Sequence, residues 1–300
     1  MTGNSMKLVR IIKNWNEPNI LRQTPRSEGV WGRVRFTLDA VDECDYLIVL
    51  NLVPERISIR VNPKNVWALI QEPYAANRFP WVEAGHERFG RVFTHHIFNN
   101  DIEKYIGTQT CLPWHIDKTY DELVALDVPT KTRRISWVSS DKIFLSGHKQ
   151  RMDFYHNISN DRKFDIDYFG KGINEIDDKY QALAPYKYSI AVENSQSEHY
   201  WTEKIADCFL SYTLPVYYGC TNLGDYFPEK SFVKIDINNY QESCRTIEGI
   251  LKEDIWEDRI EAIKEARELV LNKYQLFPFI SDLVEKGTNG FQKKEHLVFG

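Results

Sequence analysis

At 300 residues the chain is long for one compact domain and of ordinary size for two, each with its own apolar core. A composition of 42% hydrophobic and 27% charged residues is that of a globular chain, with no stretch biased enough toward Pro, Gly or charge to stay disordered. The net charge of -5 excludes a global field that would recruit nucleic acid or an anionic membrane, and leaves room only for a local basic pocket.

Residues Met1 to Lys13 lack an apolar run followed by a small-residue cleavage site, so no secretion signal is expected, and Met1–Ser5 ahead of Met6 reads as an appended leader. Strands are expected at Leu8–Ile12, Tyr46–Leu50, Val66–Ile70, Arg91–Thr94 and Thr108–Leu112. Several are continuous apolar runs, the pattern of parallel strands covered on both faces by helices. The longest run, Tyr46 to Val53, is broken by Asn51 and falls far short of the ~20 residues that cross a bilayer, so no membrane span is expected. The stretch Asp117–Arg134 turns polar, with Pro129 and the basic cluster Lys131, Arg133 and Arg134, and marks the boundary between domains 1–125 and 126–285, with 286–300 as a tail.

Beyond it, strands are predicted at Ile135–Val138, Ile166–Phe169, Tyr188–Val192, Pro215–Tyr218 and Phe232–Ile235, and helices at Lys149–Ser159, Tyr200–Ser211 and Gln241–Leu251. A long helix over Trp256–Tyr274 follows from the spacing of Ile260, Ile263, Ala266, Leu269 and Leu271. The fold class is α/β, with two facing Rossmann-like domains and a cleft between them. Neither first βα turn carries G-x-G-x-x-G, so a standard dinucleotide site is not expected. Cys44, Cys111, Cys208, Cys220 and Cys244 are widely spaced, contain no C-x-x-C pair, and read as reduced thiols of a cytoplasmic chain.

The chemistry concentrates in Tyr188–Tyr226. Its polar loop sits at a strand's carboxyl end and leads into a helix, where ligands of open α/β sheets collect and unpaired N–H groups face an anion. Lys204 falls in that helix's first turn, where a cation opposes the helix dipole by a few tenths of a kcal/mol unless something negative is bound. Read from chemistry alone, Lys204 is equally a solvated lysine beside an ordinary first-turn acid, Glu203.

The order A-V-E-N-S, Y-W-T-E-K, L-P-V-Y-Y-G, with Ser231-Phe232 downstream and Ile135–Ser140 and Arg151 upstream, resembles the donor-binding signature of glycosyltransferase family 10, the α1,3/4-fucosyltransferases. The resemblance is strong over about Ile135–Asp236, weak but collinear over Trp67–His115, and absent from the first sixty residues or so. It implies a GT-B-like fold, an N-terminal acceptor domain and a C-terminal GDP-fucose domain. It further implies an inverting transferase that moves L-fucose to a hydroxyl of a glycan, with α1,3 linkage to a GlcNAc or Glc-type residue. Arg151 and Lys204 then clamp the diphosphate in place of a metal ion, so neither metal nor cofactor is expected. Glu193, Asn194, Ser195, Tyr200, Thr202 and Glu203 complete the donor site by the same resemblance.

The base is sought after Val66–Ile70, where Gln71-Glu72-Pro73-Tyr74 is similar to the family's E-S-P element and makes Glu72 the candidate. The surrounding residues diverge from that element. Tyr74, His95 and His96 are acceptor-side candidates, with His95 and His96 also open as the base in place of Glu72; Trp81, Trp114 and Phe79 read as stacking platforms or as packing. Pro215, Gly219, Tyr217 and Tyr218 read as fold. The implied partners are GDP-fucose and an oligosaccharide or lipid-linked glycan, of lipopolysaccharide, capsule or glycoprotein, in a bacterial-type cytoplasmic enzyme with at most peripheral membrane contact and no nucleic acid. Transfer of another GDP-sugar, or a non-catalytic sugar-nucleotide or glycan binding module, stay open as alternatives.

Overall fold

Runs of Val, Ile and Leu pair into sheets in a computed structural model that describes residues 5–75, 77–161, 163–287 and 293–299. Most of the leader reading, residues 1–4, lies outside the described residues, as do 288–292 and 300 of the expected tail. The chain divides into two units, one of residues 1–113, 119–122 and 274–300, the other of 114–118 and 123–273.

The first unit contains β1 (Lys7–Lys13), β2 (Val30–Trp31), β3 (Val34–Thr37), β4 (Tyr46–Leu50), β5 (Ile57–Val61), β6 (Val66–Leu69), β7 (Arg91–Thr94) and β8 (Tyr105–Gly107). All but β5 join one sheet in the order β2-β3-β1-β4-β6-β7-β8, parallel at every pair except β2–β3. Successive side chains of a strand point to opposite faces, and β4 shows why its five residues are all apolar. Tyr46, Ile48 and Leu50 enter one core cluster while Leu47 and Val49 enter another.

The second chain segment, after the short helix α1 (Tyr120–Val124), builds β9 (Arg133–Val138), α2 (Ser146–Asp161), β10 (Ile166–Phe169), β11 (Tyr186–Val192), α3 (Glu203–Leu210), β12 (Leu214–Tyr218), β13 (Val233–Lys234), α4 (Tyr240–Glu253) and α5 (Trp256–Leu269). Its sheet runs β10-β9-β11-β12-β13 and is parallel throughout. The chain then enters α6 (Leu276–Lys286) and β14 (Glu295–Phe299), both in the first unit. Leu276, Phe277, Ile280 and Val284 of α6 fill the core on one face of the first sheet. On the other face β14 pairs antiparallel with β5, placing Phe299 with Ile57, Ile59 and Val61 in the second cluster.

Several expectations change. Thr108–Leu112 is not a strand: β8 lies just before it, and Cys111 takes the left-handed conformation at φ 48°. Its N–H is accepted by the Gln109 side chain, which closes a turn where an extended ladder was expected. The helix expected from Tyr200 starts at Glu203, because Thr202 caps it. The helix expected to run to Tyr274 ends at Leu269 and passes through a π turn, Val270–Tyr274. The boundary drawn at 285 differs from the return of the described residues from Tyr274 onward to the first unit.

Candidate functional site

The strand order of the second unit reverses its direction of travel between β9 and β11, since β10 flanks β9 on one side and β12 flanks β11 on the other. At such a switch point the loops leaving the two carboxyl ends diverge and open a crevice. Here they are the segment Ser139–Leu145 leading into α2, and Glu193–Trp201 leading into α3. Gly147 lets them meet: a Cβ at that position would stand 2.0 Å from the Asn194 carbonyl oxygen.

Glu193 is the first residue beyond β11 and is 1% exposed. The Thr202 backbone N–H donates to its Oε1 at 2.9 Å and the Thr202 hydroxyl to its Oε2 at 2.7 Å. Thr202 thus does two jobs, since its hydroxyl oxygen also accepts from the Lys204 N–H as the cap of α3. Lys204 Nζ lies 3.3 Å from Glu193 Oε2 and 3.2 Å from Glu203 Oε1. The first-turn lysine therefore does not oppose the helix dipole alone; two acids already hold it. Burial would lower its ammonium, but Glu203 and Glu193 outweigh burial and hold it above the ordinary lysine range. For Glu203, burial acts upward, yet Lys204 and Lys179 hold its carboxyl well below the usual range. Burial wins at Glu193 and pushes it up, against the pull of Lys204.

Arg151, on the first turns of α2, is 4% exposed rather than solvated. Its Nη2 donates to the Ser140 carbonyl at 3.2 Å and hydroxyl at 3.4 Å, and its buried Nε has no hydrogen-bond partner among the described residues. Burial lowers its pKa, with Glu193 and Glu203 in electrostatic reach but not in contact. A buried guanidinium with spare donors is a ready partner for an anion. Asn194 joins the loops, accepting from the Tyr200 hydroxyl at 2.6 Å and donating to the His148 ring at 3.3 Å. Gly219, at φ 156°, ends β12 against Glu193: a Cβ there would stand 2.4 Å from the Glu193 Cγ.

The structure thus brings together Arg151, Glu193, Asn194, Tyr200, Thr202, Glu203 and Lys204. Ser195 is half-buried in the same loop. Two members escape sequence reasoning. Lys179 bridges Asp207 at 3.2 Å and Glu203 at 3.6 Å, and Asp207 also accepts the His115 N–H at 2.9 Å. The one available signal was Glu203 and Asp207 at i and i+4, which share a helix face. Tyr217 and Tyr218 are buried as packing, and the Tyr217 hydroxyl accepts from the Cys220 N–H at 2.9 Å.

In the first unit, Glu72 follows β6 half-buried, with its carbonyl accepting from His95 Nε2 at 2.8 Å. Tyr74 stacks on His96 at 4.0 Å and 14°, and His96 Nε2 meets Glu83 at 3.0 Å. Glu72, Tyr74, His95 and His96 therefore cluster at the carboxyl ends of β6 and β7. Trp114 is no platform: it is 1% exposed and its indole N–H donates to the Lys118 carbonyl at 2.9 Å. Trp81 is half-buried and packs on Phe79 at 5.1 Å. Among the described residues no group of three or more His, Cys, Asp or Glu is arranged to hold a metal ion, and no helix is long and apolar enough to cross a membrane.

Residues 128–253, which contain all of this second-unit site except His115, match the C-terminal domain of glycosyltransferase family 10, the fucosyltransferases. Over that segment, which is less than half of the chain, the sequence is similar to glycosyltransferase family 10. An alpha-(1,3)-fucosyltransferase of Helicobacter pylori is 38% identical over 69 residues, 23% of this chain and 14% of that protein. The human 4-galactosyl-N-acetylglucosaminide 3-alpha-L-fucosyltransferase 9 is 24% identical over 163 residues, 52% of this chain and 44% of its own. The chain thus matches less than half the length of either relative. A crystal structure of an alpha1,3-fucosyltransferase with GDP aligns at TM-score 0.51 and 15% identity, over 94% of this chain and 91% of that one. The fold of the chain is accordingly α/β of the GT-B type.

Proposed function

We propose that this chain transfers L-fucose from GDP-fucose to a hydroxyl of a glycan, with inversion at the anomeric carbon and without a metal ion. One observation carries the reading. Arg151, buried with spare guanidinium donors on α2, and Lys204, at the amino end of α3, both sit on the helices entered from the two loops of the β9/β11 switch point, in the residues that match the family model. Inverting transfer builds negative charge on the departing diphosphate, and fixed cations that meet that charge lower the barrier. Arg151 offers paired N–H donors to phosphate oxygens and Lys204 a point charge, the work a divalent cation does elsewhere. The neighbour of like fold solved with GDP supports a guanine nucleotide as the donor's carrier.

Glu72 is the base in this reading. It takes the proton from the acceptor hydroxyl while that oxygen attacks and GDP leaves. Tyr74 and His96 present a stacked, partly exposed ring pair suited to the apolar face of a sugar, with His95 fixing the Glu72 main chain. The acceptor is an oligosaccharide or lipid-linked glycan, and the bond is α1,3 to a GlcNAc or Glc-type residue. Five buried free thiols suit a reducing cytoplasm.

The test is GDP release from GDP-fucose with N-acetyllactosamine, glucose and N-acetylglucosamine acceptors, with and without EDTA. Turnover that EDTA leaves unchanged and Glu72→Gln lowers about 100-fold or more at unchanged GDP affinity is the expected result. Turnover only with another GDP-sugar would replace the donor, and GDP binding without turnover on any acceptor would leave a binding module.

A further inference from the structure

The proposed clamp contains a conflict. Lys204 is already held by Glu193, 3.3 Å away, and by Glu203, 3.2 Å away. A diphosphate that takes Lys204 competes with both. The two acids differ in what remains to them. Glu203 keeps Lys179, 3.6 Å away, which is shared with Asp207. Glu193 keeps no cation in contact, only the N–H and hydroxyl of Thr202.

Its other neighbours offer no relief. Gly219 and the Tyr217 hydroxyl close one side, with the Cys220 thiol behind them. Tyr200 donates its hydroxyl to Asn194, and Arg151 acts on Glu193 only at a distance. The charges at the site already balance, with Glu193, Glu203 and Asp207 against Lys179, Lys204 and Arg151. An incoming diphosphate adds negative charge to a buried, balanced group, and a buried carboxylate that loses its cation is relieved most simply by a proton.

Resting on the reading of Lys204 as a phosphate ligand, we infer that Glu193 holds Lys204 in the empty site and takes up one proton from solvent when the donor's diphosphate claims that lysine. The balance is simple: carboxylate plus solvent proton gives carboxylic acid, and the ammonium stays charged throughout, exchanging a carboxylate oxygen for a phosphate oxygen. The protonated acid then donates to Thr202 Oγ1, which accepted from Lys204 Nζ at 3.2 Å before, with the Thr202 hydroxyl proton turned away from Glu193. The direction of Glu193's titration in the empty protein, upward through burial, agrees with this. Glu193 is a positioning residue in this scheme and touches no reacting atom.

The probe is GDP-fucose without acceptor, whose diphosphate diester carries no proton that titrates near neutrality. Calorimetric titration of the whole chain in buffers of different ionisation enthalpy is expected to show about one proton taken up per ligand bound. Because a proton is taken up on binding, affinity should weaken as the pH rises, by up to about tenfold per pH unit. The carboxylic C=O infrared band should appear on binding, which separates a carboxyl from the nearby His148 and His115 imidazoles. Glu193→Gln should remove both the band and the uptake per ligand bound, at whatever affinity the variant retains. Lys204-dependent binding with neither uptake nor band in the unmodified chain overturns the inference alone. Binding that Lys204→Ala leaves unchanged instead overturns the clamp on which it rests.

Discussion

Arg151 carries a buried cation whose folding cost has no visible return within the chain. Among the described residues its guanidinium hydrogen-bonds to Ser140 alone, its Nε donates to nothing, and no carboxylate pairs with it. Replacing such a charge by an apolar side chain of similar length is neutral or stabilising, because the desolvation it required disappears. Arg151→Met is therefore expected to keep or raise the melting temperature of the unliganded chain while weakening GDP binding about 10- to 100-fold, the loss of one charge-assisted contact set worth about 1.5–3 kcal/mol. Thermal unfolding and calorimetry on the same samples check both halves; a fall of several degrees in the unliganded protein would make Arg151 structural. At this scale the sequence was informative where residues sit in one ordered run: Glu193 to Lys204 is a strand end, a loop and a cap, and the resemblance of that ordered run to a family signature singled its residues out. Lys179 and Asp207 were not legible in this way. Lys179 comes from a separate turn and finds Glu203 and Asp207 only once β11 and α3 are packed.

Among the elements, α2 owes its place to one missing methyl group. With a Cβ 2.0 Å from the Asn194 carbonyl oxygen, Gly147→Ala forces the helix start away from the loop, since backbone, unlike a side-chain tip, has no easy way to yield. Alanine is the better helix former, by up to about 1 kcal/mol, so propensity alone predicts stabilisation and the clash predicts the reverse. Overpacking against backbone, at about 1–3 kcal/mol, wins. The variant should melt several degrees lower and bind GDP more weakly, because Arg151 rides on the displaced helix; an unchanged melting temperature would show that the loop gives way. Nothing in the sequence pattern distinguishes this glycine from one that merely sits in a helix. Strands were the most legible elements, β4 above all, because burial on both faces demands an unbroken apolar run. Thr108–Leu112 has the β-branched composition of a strand, but the hydrogen bond that the Gln109 side-chain oxygen accepts from the Cys111 N–H overrides that preference. Strand β5 alternates buried and exposed residues over Ile57–Val61, yet its partner β14 lies more than two hundred residues away.

The largest departure from a linear reading concerns the molecule as a whole. Two α/β units in sequence suggest that the chain finishes one and then the other, and helical periodicity over Trp256–Tyr274 says nothing about where the next helix docks. The chain instead returns, and α6 puts Leu276, Phe277, Ile280 and Val284, all buried, into the first unit's core. At about 1.5–3 kcal/mol for each large apolar side chain taken from water, as an upper bound, these four alone rival the ~5–15 kcal/mol that holds a typical domain folded. A chain stopped after Lys273 should therefore leave the first sheet with an uncovered apolar face and unfold that unit, visible as dye binding and rapid proteolysis confined to residues 5–113. Every residue of the second unit is retained in such a chain, Arg151, Glu193 and Lys204 among them. GDP affinity should consequently survive within about threefold, while turnover, which in the proposed reading needs Glu72, is abolished. Were the shortened chain to lose GDP binding along with its first unit, the donor site would depend on more than the second unit, and its assignment to the β9/β11 switch point would have to be redrawn.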